Sequence, residues 1–261
     1  MKAPPMADLQ HRPFGDSPTE LRTPASTLQN VVTLGPIIQY TEPGVPARAV
    51  ILIYGAPKAG KTTFAGTFPK PLFIEAQGGL MSIREKKVAF YSPSNYTDLI
   101  SAVVPAVLSK FETVVLDQAT EISRIIMTSS LGTSGRDVPQ IQDWQMTIER
   151  LRKLFRALID NTKGSAGHVV VVCEEQLVKD ESLGRIMFLP NLPGKLSTEA
   201  GALFDCVFHL RSCLNPLTHS TGRWLVSEPD SMHPGVGQRL SRSIPSYEVP
   251  DFPTLWAKAS R

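Results

Sequence analysis

The chain has 261 residues, 42% of them hydrophobic and 20% charged, enough apolar material for one large or two small domains with a buried core. Lys and Arg outnumber Asp and Glu by 27 to 24, and a formal charge of +3 neither demands nor excludes a nucleic-acid partner. No apolar stretch approaches the roughly 18 residues that cross a bilayer, and the opening Met1–Met6 lacks the apolar run of a secretory signal. Cys173, Cys206 and Cys213, with no C-x-x-C pair, read as small buried hydrophobes of a reduced, cytoplasmic protein with no membrane partner.

Residues 1–46 hold eight of the 22 prolines, spread too evenly for a long helix or a central strand, and are expected to form a largely disordered arm with a lead-in over 27–46. From Ala47 the pattern changes. Apolar runs at 49–54, 72–74, 88–91, 113–116 and 168–173 carry no polar alternation, as in strands of a parallel sheet covered on both faces. Helices are expected at 61–68, at 96–110 with a break at Pro105, and at 139–161. The last of these carries an apolar stripe of Ile141, Trp144, Ile148, Leu151, Leu154, Phe155, Leu158 and Ile159. A short helix at 197–203 and strands at 206–210 and 223–226 would close the sheet. The fold class is α/β, with a mostly parallel central sheet, helices on both faces and a hairpin or antiparallel strands at the C-terminal edge. The domain spans 47–228, leaving 229–261 as an extension.

Gly55-Ala56-Pro57-Lys58-Ala59-Gly60-Lys61-Thr62 matches G-x-x-x-x-G-K-[ST] at every specified position, directly after a strand and before a helix. Such a loop lets backbone N–H groups converge on phosphate oxygens at a helix N-terminus. Lys61 would reach the β- and γ-phosphates of ATP, the Thr62 hydroxyl would hold Mg²⁺, and Thr63 completes the binding stretch. A magnesium site needs a carboxylate at a neighbouring strand tip, and Asp117 follows Thr113–Leu116, 55 positions after Thr62. Asp117 could instead cap the helix that follows it.

The phosphate loop, Pro71–Gly79, Val114–Asp117 and His168–Lys195 together resemble one family, the phage-encoded RecA-like ATP-binding proteins linked to single-strand annealing and recombination. The likeness covers about residues 48–228. It implies a RecA-type core that binds ATP and Mg²⁺, acts on single-stranded DNA as a homo-oligomer, and works with a single-strand-binding protein.

Two departures from that pattern bear on catalysis. Where the family ends its second strand Asp-x-Glu, this chain has Glu75-Ala76-Gln77, so the water-polarising position is Gln77, an amide that can orient water but not accept its proton. Glu75, two residues earlier on the same side of an extended chain, is the substitute. Where relatives present a late Lys or Arg across a subunit interface, this chain has Ser227 and Glu228; Arg211, Arg223 and Arg239 are candidates that spacing does not separate. Glu174, at the tip of the fifth strand, is placed either to sense the γ-phosphate or as a solvated strand end. Lys179, Arg185 and Lys195 lie where the family carries DNA-contacting loops, although the same stretch also fits an ordinary β-hairpin. Two other readings are a nucleotide-switched binding module without turnover and a small-molecule kinase.

Overall fold

Six apolar strands make the centre. In the computed structural model, which describes residues 47–260 apart from 164–166, 182–183 and 215–220, they are β1 (Val50–Gly55), β2 (Pro71–Glu75), β3 (Ala89–Tyr91), β4 (Thr113–Asp117), β5 (His168–Asp180) and β7 (Cys206–Leu214). They lie side by side in the order β7-β1-β5-β4-β2-β3, every neighbouring pair parallel. Between β5 and β7 comes β6 (Arg185–Pro190), which pairs antiparallel with the outer half of β5. Beyond β7 the sheet continues antiparallel through β8 (Thr221–Val226) and β10 (Tyr247–Glu248), while β9 (Gly237–Gln238) also pairs with β7. The expected architecture holds, with a mostly parallel sheet and antiparallel strands at its C-terminal edge.

Alternate residues of each central strand enter separate cores. Val50, Leu52 and Tyr54 of β1 pack with Val169, Val171, Leu116 and Ile74 beneath helices α2 (Tyr96–Ala102), α3 (Pro105–Leu108), α4 (Ala119–Ser134) and α5 (Ile141–Asn161). Ala49, Ile51 and Ile53 face the other way, with Val170, Val172, Phe73 and Phe208, beneath α1 (Lys61–Ala65) and α7 (Phe252–Ala259). Covering both faces explains why these strands show no polar alternation. Cys173 and Cys206 are buried and all three cysteines are free thiols.

The differences from expectation lie at edges and ends. The first helix stops at Ala65 rather than 68. Strand β3 is exposed along its length, with Phe90 62% accessible, because it is the last strand of its edge. In α5 the core takes Leu151, Leu154, Phe155 and Leu158, but Ile141 and Trp144 stay 78% and 49% exposed, so the apolar stripe outruns the surface it covers. The segment after Cys173 forms the β-hairpin that the sequence also fitted, β5 with β6. A short helix α6 (Leu196–Glu199) follows it. The expected arm at 1–46 lies outside the described residues.

Residues 229–260, read from sequence as an extension, supply β9, β10 and α7 to this core. Phe252 stacks on Phe68 with centroids 3.8 Å apart, and its N–H donates to Thr67 Oγ1 at 2.9 Å. Phe252→Ala should therefore cost about 3 kcal/mol of global stability. Urea titration should show one cooperative transition with a lower midpoint and an unchanged slope.

Candidate functional site

The glycine-rich loop begins where β1 stops. Gly55 lies between Glu174 of β5 and the backbone of β7, and a Cβ on it would stand 2.2 Å from the Leu210 carbonyl oxygen. Only glycine fits there. Gly60 turns the chain into α1 with φ 107°, a conformation that any Cβ would strain. Ala56, Pro57 and Lys58 are exposed at the crest, while Ala59 is anchored in the core. Because α1 has only five residues, positive potential here comes from the loop's amides and cations rather than from a long helix dipole.

Lys61 is 4% exposed, and its ammonium donates to the carbonyls of Gly55 and Ala56, each at 2.8 Å. Burial holds its pKa below the usual lysine value, against the nearby charges of Glu174 and then Asp117. The next residue closes the site: Thr62 Oγ1 donates to Asp117 Oδ2 at 2.8 Å. Asp117 is 3% exposed, and its Oδ1 is buried with no hydrogen-bond partner among the described residues. Burial pushes its carboxyl up to about 6, opposed by the Thr62 hydrogen bond and the Lys61 charge and assisted by the charge of Glu75. The alternative of a helix cap is excluded, since α4 starts after Gln118 and the Asp117 carboxylate turns to Thr62 instead.

A hydroxyl and a carboxylate with one unclaimed oxygen are hard donors that suit Mg²⁺, which takes one or two protein oxygens and completes its shell with water and phosphate. Gly79 backs this pair, and a Cβ there would come within 3.8 Å of both Asp117 Oδ2 and Thr62 Oγ1. The chemistry and the clearance both fit. A cleft of about 360 Å³ opens over the pair, lined by Lys58, Lys61, Thr62, Thr63, Gln118 and Arg223.

The remaining sequence candidates divide. Glu75 sits beside Asp117 in the sheet register, but its carboxylate is occupied. Oε2 accepts from the N–H groups of Gln77 (3.2 Å), Gly78 (2.5 Å) and Gly79 (3.3 Å), and Oε1 accepts from Ser92 Oγ at 3.0 Å. Glu75, the substitute base expected from sequence, thus also anchors the turn that carries Gln77 and Gly79. Gln77 is exposed on that turn. Glu174 is half-buried next to Gly55; its N–H donates to Thr120 Oγ1 at 3.2 Å and its carbonyl accepts from Asn191 N at 2.8 Å. Its backbone joins β5 to the loop that follows β6.

Lys179 and Lys195 are exposed, on the outer half of β5 and just before α6, while Arg185 pairs with Asp180 across the hairpin at 3.5 Å. These three are not brought into the cleft. The placement of Arg223 among the late arginines, and one histidine cluster, escaped the sequence. Arg223 lies against Gly60, where its place depends on the antiparallel register of β8, which no local spacing encodes. Beside the loop, Glu175 is bonded to His209 at 2.8 Å; the His209 ring lies tilted against that of His233 with centroids 4.2 Å apart, and His233 is bonded to Asp230 at 2.9 Å.

The raised Asp117 pKa sets a pH dependence. The folded state binds more protons than the unfolded chain between the ordinary aspartate value of 3.8 and about 6, so stability falls as pH rises through that window. Asp117→Asn should accordingly raise metal-free stability at pH 7.5, by about 1–3 kcal/mol, and flatten the profile. Thermal unfolding from pH 4 to 8 checks this, and Mg²⁺ affinity of the unsubstituted protein should weaken below about pH 6.

No curated protein matches this chain. Among solved structures it is similar to a KaiC-like protein from the hyperthermophilic archaeon Pyrococcus horikoshii OT3, with 15% sequence identity, a TM-score of 0.40, and coverage of 68% of this chain and 77% of that one. A family model described as the AAA domain matches residues 47–236, which take in the glycine-rich loop, Asp117 and the β5–β6 hairpin. With well over half its length inside that match, and a phosphate-loop core built as above, the chain belongs to the AAA domain family.

Proposed function

We propose that this protein binds ATP with Mg²⁺ and uses the bound nucleotide to govern its hold on single-stranded DNA in phage recombination or annealing, with slow hydrolysis. One observation carries the nucleotide half: the Thr62–Asp117 contact, with buried Lys61 beside it and a loop that only glycine at 55 can close. Loop amides and the Lys61 ammonium bind the phosphates; Thr62 and Asp117 hold the metal. When bound, Mg²⁺ draws negative charge from the phosphate oxygens.

Slow turnover follows from the residues around the attacking water. Glu75 is held by three amides and Ser92, so it serves no base function. Gln77, exposed on the adjacent turn, orients water through its amide and leaves the proton without a strong acceptor. The same facts favour a second reading, a nucleotide-switched binding module with no turnover. Glu174, opposite Gly55 on the neighbouring strand and bonded to the loop after β6, is the residue through which phosphate occupancy would reach the hairpin.

The DNA half is supported by exposed Lys179 and Lys195 on the segment continuous with that strand, and by the family resemblance of the whole His168–Lys195 stretch. Backbone contacts of this kind are salt-sensitive. Homo-oligomer formation and a single-strand-binding protein as partner belong to the same proposal.

Lys61→Ala should abolish ATP binding while leaving the far-ultraviolet spectrum unchanged; ATP affinity equal to that of the unsubstituted protein would refute the phosphate-loop assignment. Gln77→Glu should raise single-turnover hydrolysis by about tenfold or more, and an unaltered rate would place the water elsewhere. Labelled single-stranded DNA should bind more tightly with ATP and Mg²⁺ than without. No binding at low salt in either condition removes the DNA role.

A further inference from the structure

Arg223 projects from β8 onto the glycine-rich loop of its own chain. A Cβ built on Gly60 would meet Arg223 Cδ at 3.1 Å, Nε at 3.3 Å and Cζ at 3.4 Å, so the whole guanidinium end lies along the loop's last turn. The same side chain lines the 360 Å³ cleft, with Lys58, Lys61 and Thr62. Its position is fixed by sheet pairing, since Arg223 is opposite Ser212 in the β7–β8 ladder and β7 lies next to β1.

Charge makes the placement informative. Three cations, Lys58, Lys61 and Arg223, border one cleft. Asp117 is engaged with Thr62, and among the described residues no carboxylate forms an ion pair with Arg223. Four other described arginines do form such pairs: Arg124 with Glu121, Arg136 with Asp143, Arg152 with Glu149 and Glu199, Arg185 with Asp180. Like charges around a small cleft repel one another unless an anion lies between them, and a guanidinium's planar fork matches phosphate oxygens. Arg211, a rival from sequence, is instead turned to Tyr247, donating to its hydroxyl at 2.8 Å.

We propose that Arg223 is a phosphate-binding side chain supplied in cis: it donates to the phosphates of a nucleotide held by the loop of the same chain, where the resembling family reaches across a subunit interface. The proposal rests on the nucleotide-binding reading above. Its consequence is that one chain carries a complete set of phosphate cations, so affinity does not depend on assembly.

The test is titration of ATP and ADP, with Mg²⁺, into the full chain and into Arg223→Ala, Arg223→Lys and Lys61→Ala. Arg223 is exposed, so Arg223→Ala should keep the thermal midpoint of the unsubstituted protein. Expected is a loss of nucleotide affinity of about tenfold or more in Arg223→Ala, partly restored in Arg223→Lys, with unsubstituted affinity independent of protein concentration. A mixture distinguishes cis from trans. Lys61→Ala chains keep Arg223, and adding them in excess to Arg223→Ala should restore nothing. Recovery in that mixture would show that the cation acts on a neighbour and overturns the proposal, as would undiminished affinity in Arg223→Ala while the unsubstituted protein binds. If the unsubstituted protein binds no nucleotide at all, the underlying reading fails, and the two failures are told apart by that control.

Discussion

The hydrogen bond from Thr62 to Asp117 spans more of the fold than its 2.8 Å suggests. Thr62 follows β1 and Asp117 ends β4, and β5 lies between those two strands. The contact forms only if β1 and β4 end in the right register across β5, which continues past both. The register achieves this: Gly55 is opposite Glu174, and Val172 is opposite Asp117. A slip of one residue would exchange the two faces of a strand and move its tip by about 3.3 Å. Val50, Leu52 and Tyr54 on one face, with Ala49, Ile51 and Ile53 on the other, guard against that slip because each set has its own core to fill. Packing far below the loop therefore fixes the geometry at its mouth.

Electrostatics at the mouth is arranged around a carboxylate that is poorly solvated. Asp117 keeps one oxygen on Thr62 and has no partner for the other among the described residues. Lys61 is also drawn out of water, with its ammonium resting on loop carbonyls. Two opposite charges, each incompletely compensated, sit within one small cleft. A metal–polyphosphate ligand supplies both missing counterparts at once. Beside it, Glu175 is bonded to His209 Nε2, while His209 Nδ1 is also buried with no hydrogen-bond partner among the described residues.

What was legible in the sequence follows from how local each signal is. The loop motif, the doubly apolar strands and the carboxylate after Leu116 are contiguous patterns, and their physical causes are contiguous as well. The helix over 141–161 was legible too, but not its exposed start, because periodicity reports a face without saying how far the opposing surface extends. The surroundings of Glu75 were not legible, because whether a strand-end carboxylate is free depends on the turn after it, and here Gln77, Gly78 and Gly79 fold back to donate to it. Arg223 could not be singled out among the late arginines, since its neighbour Gly60 is brought to it by two strand pairings with partners remote in the chain.

Strand β5 runs unbroken for 13 residues, from the middle of the parallel sheet to the tip of the hairpin with β6. From Glu174 to Asp180 an extended chain spans roughly 20 Å. A rigid ribbon of that length would act as a lever if it tilted at the glycine-rich loop. A tilt of roughly 5° at the fulcrum would displace the far end by roughly 2 Å over that span, without breaking any rung of the β5–β6 ladder. Mechanical amplification thus comes with the topology, and it needs no refolding of the segment that carries Lys179 and Arg185.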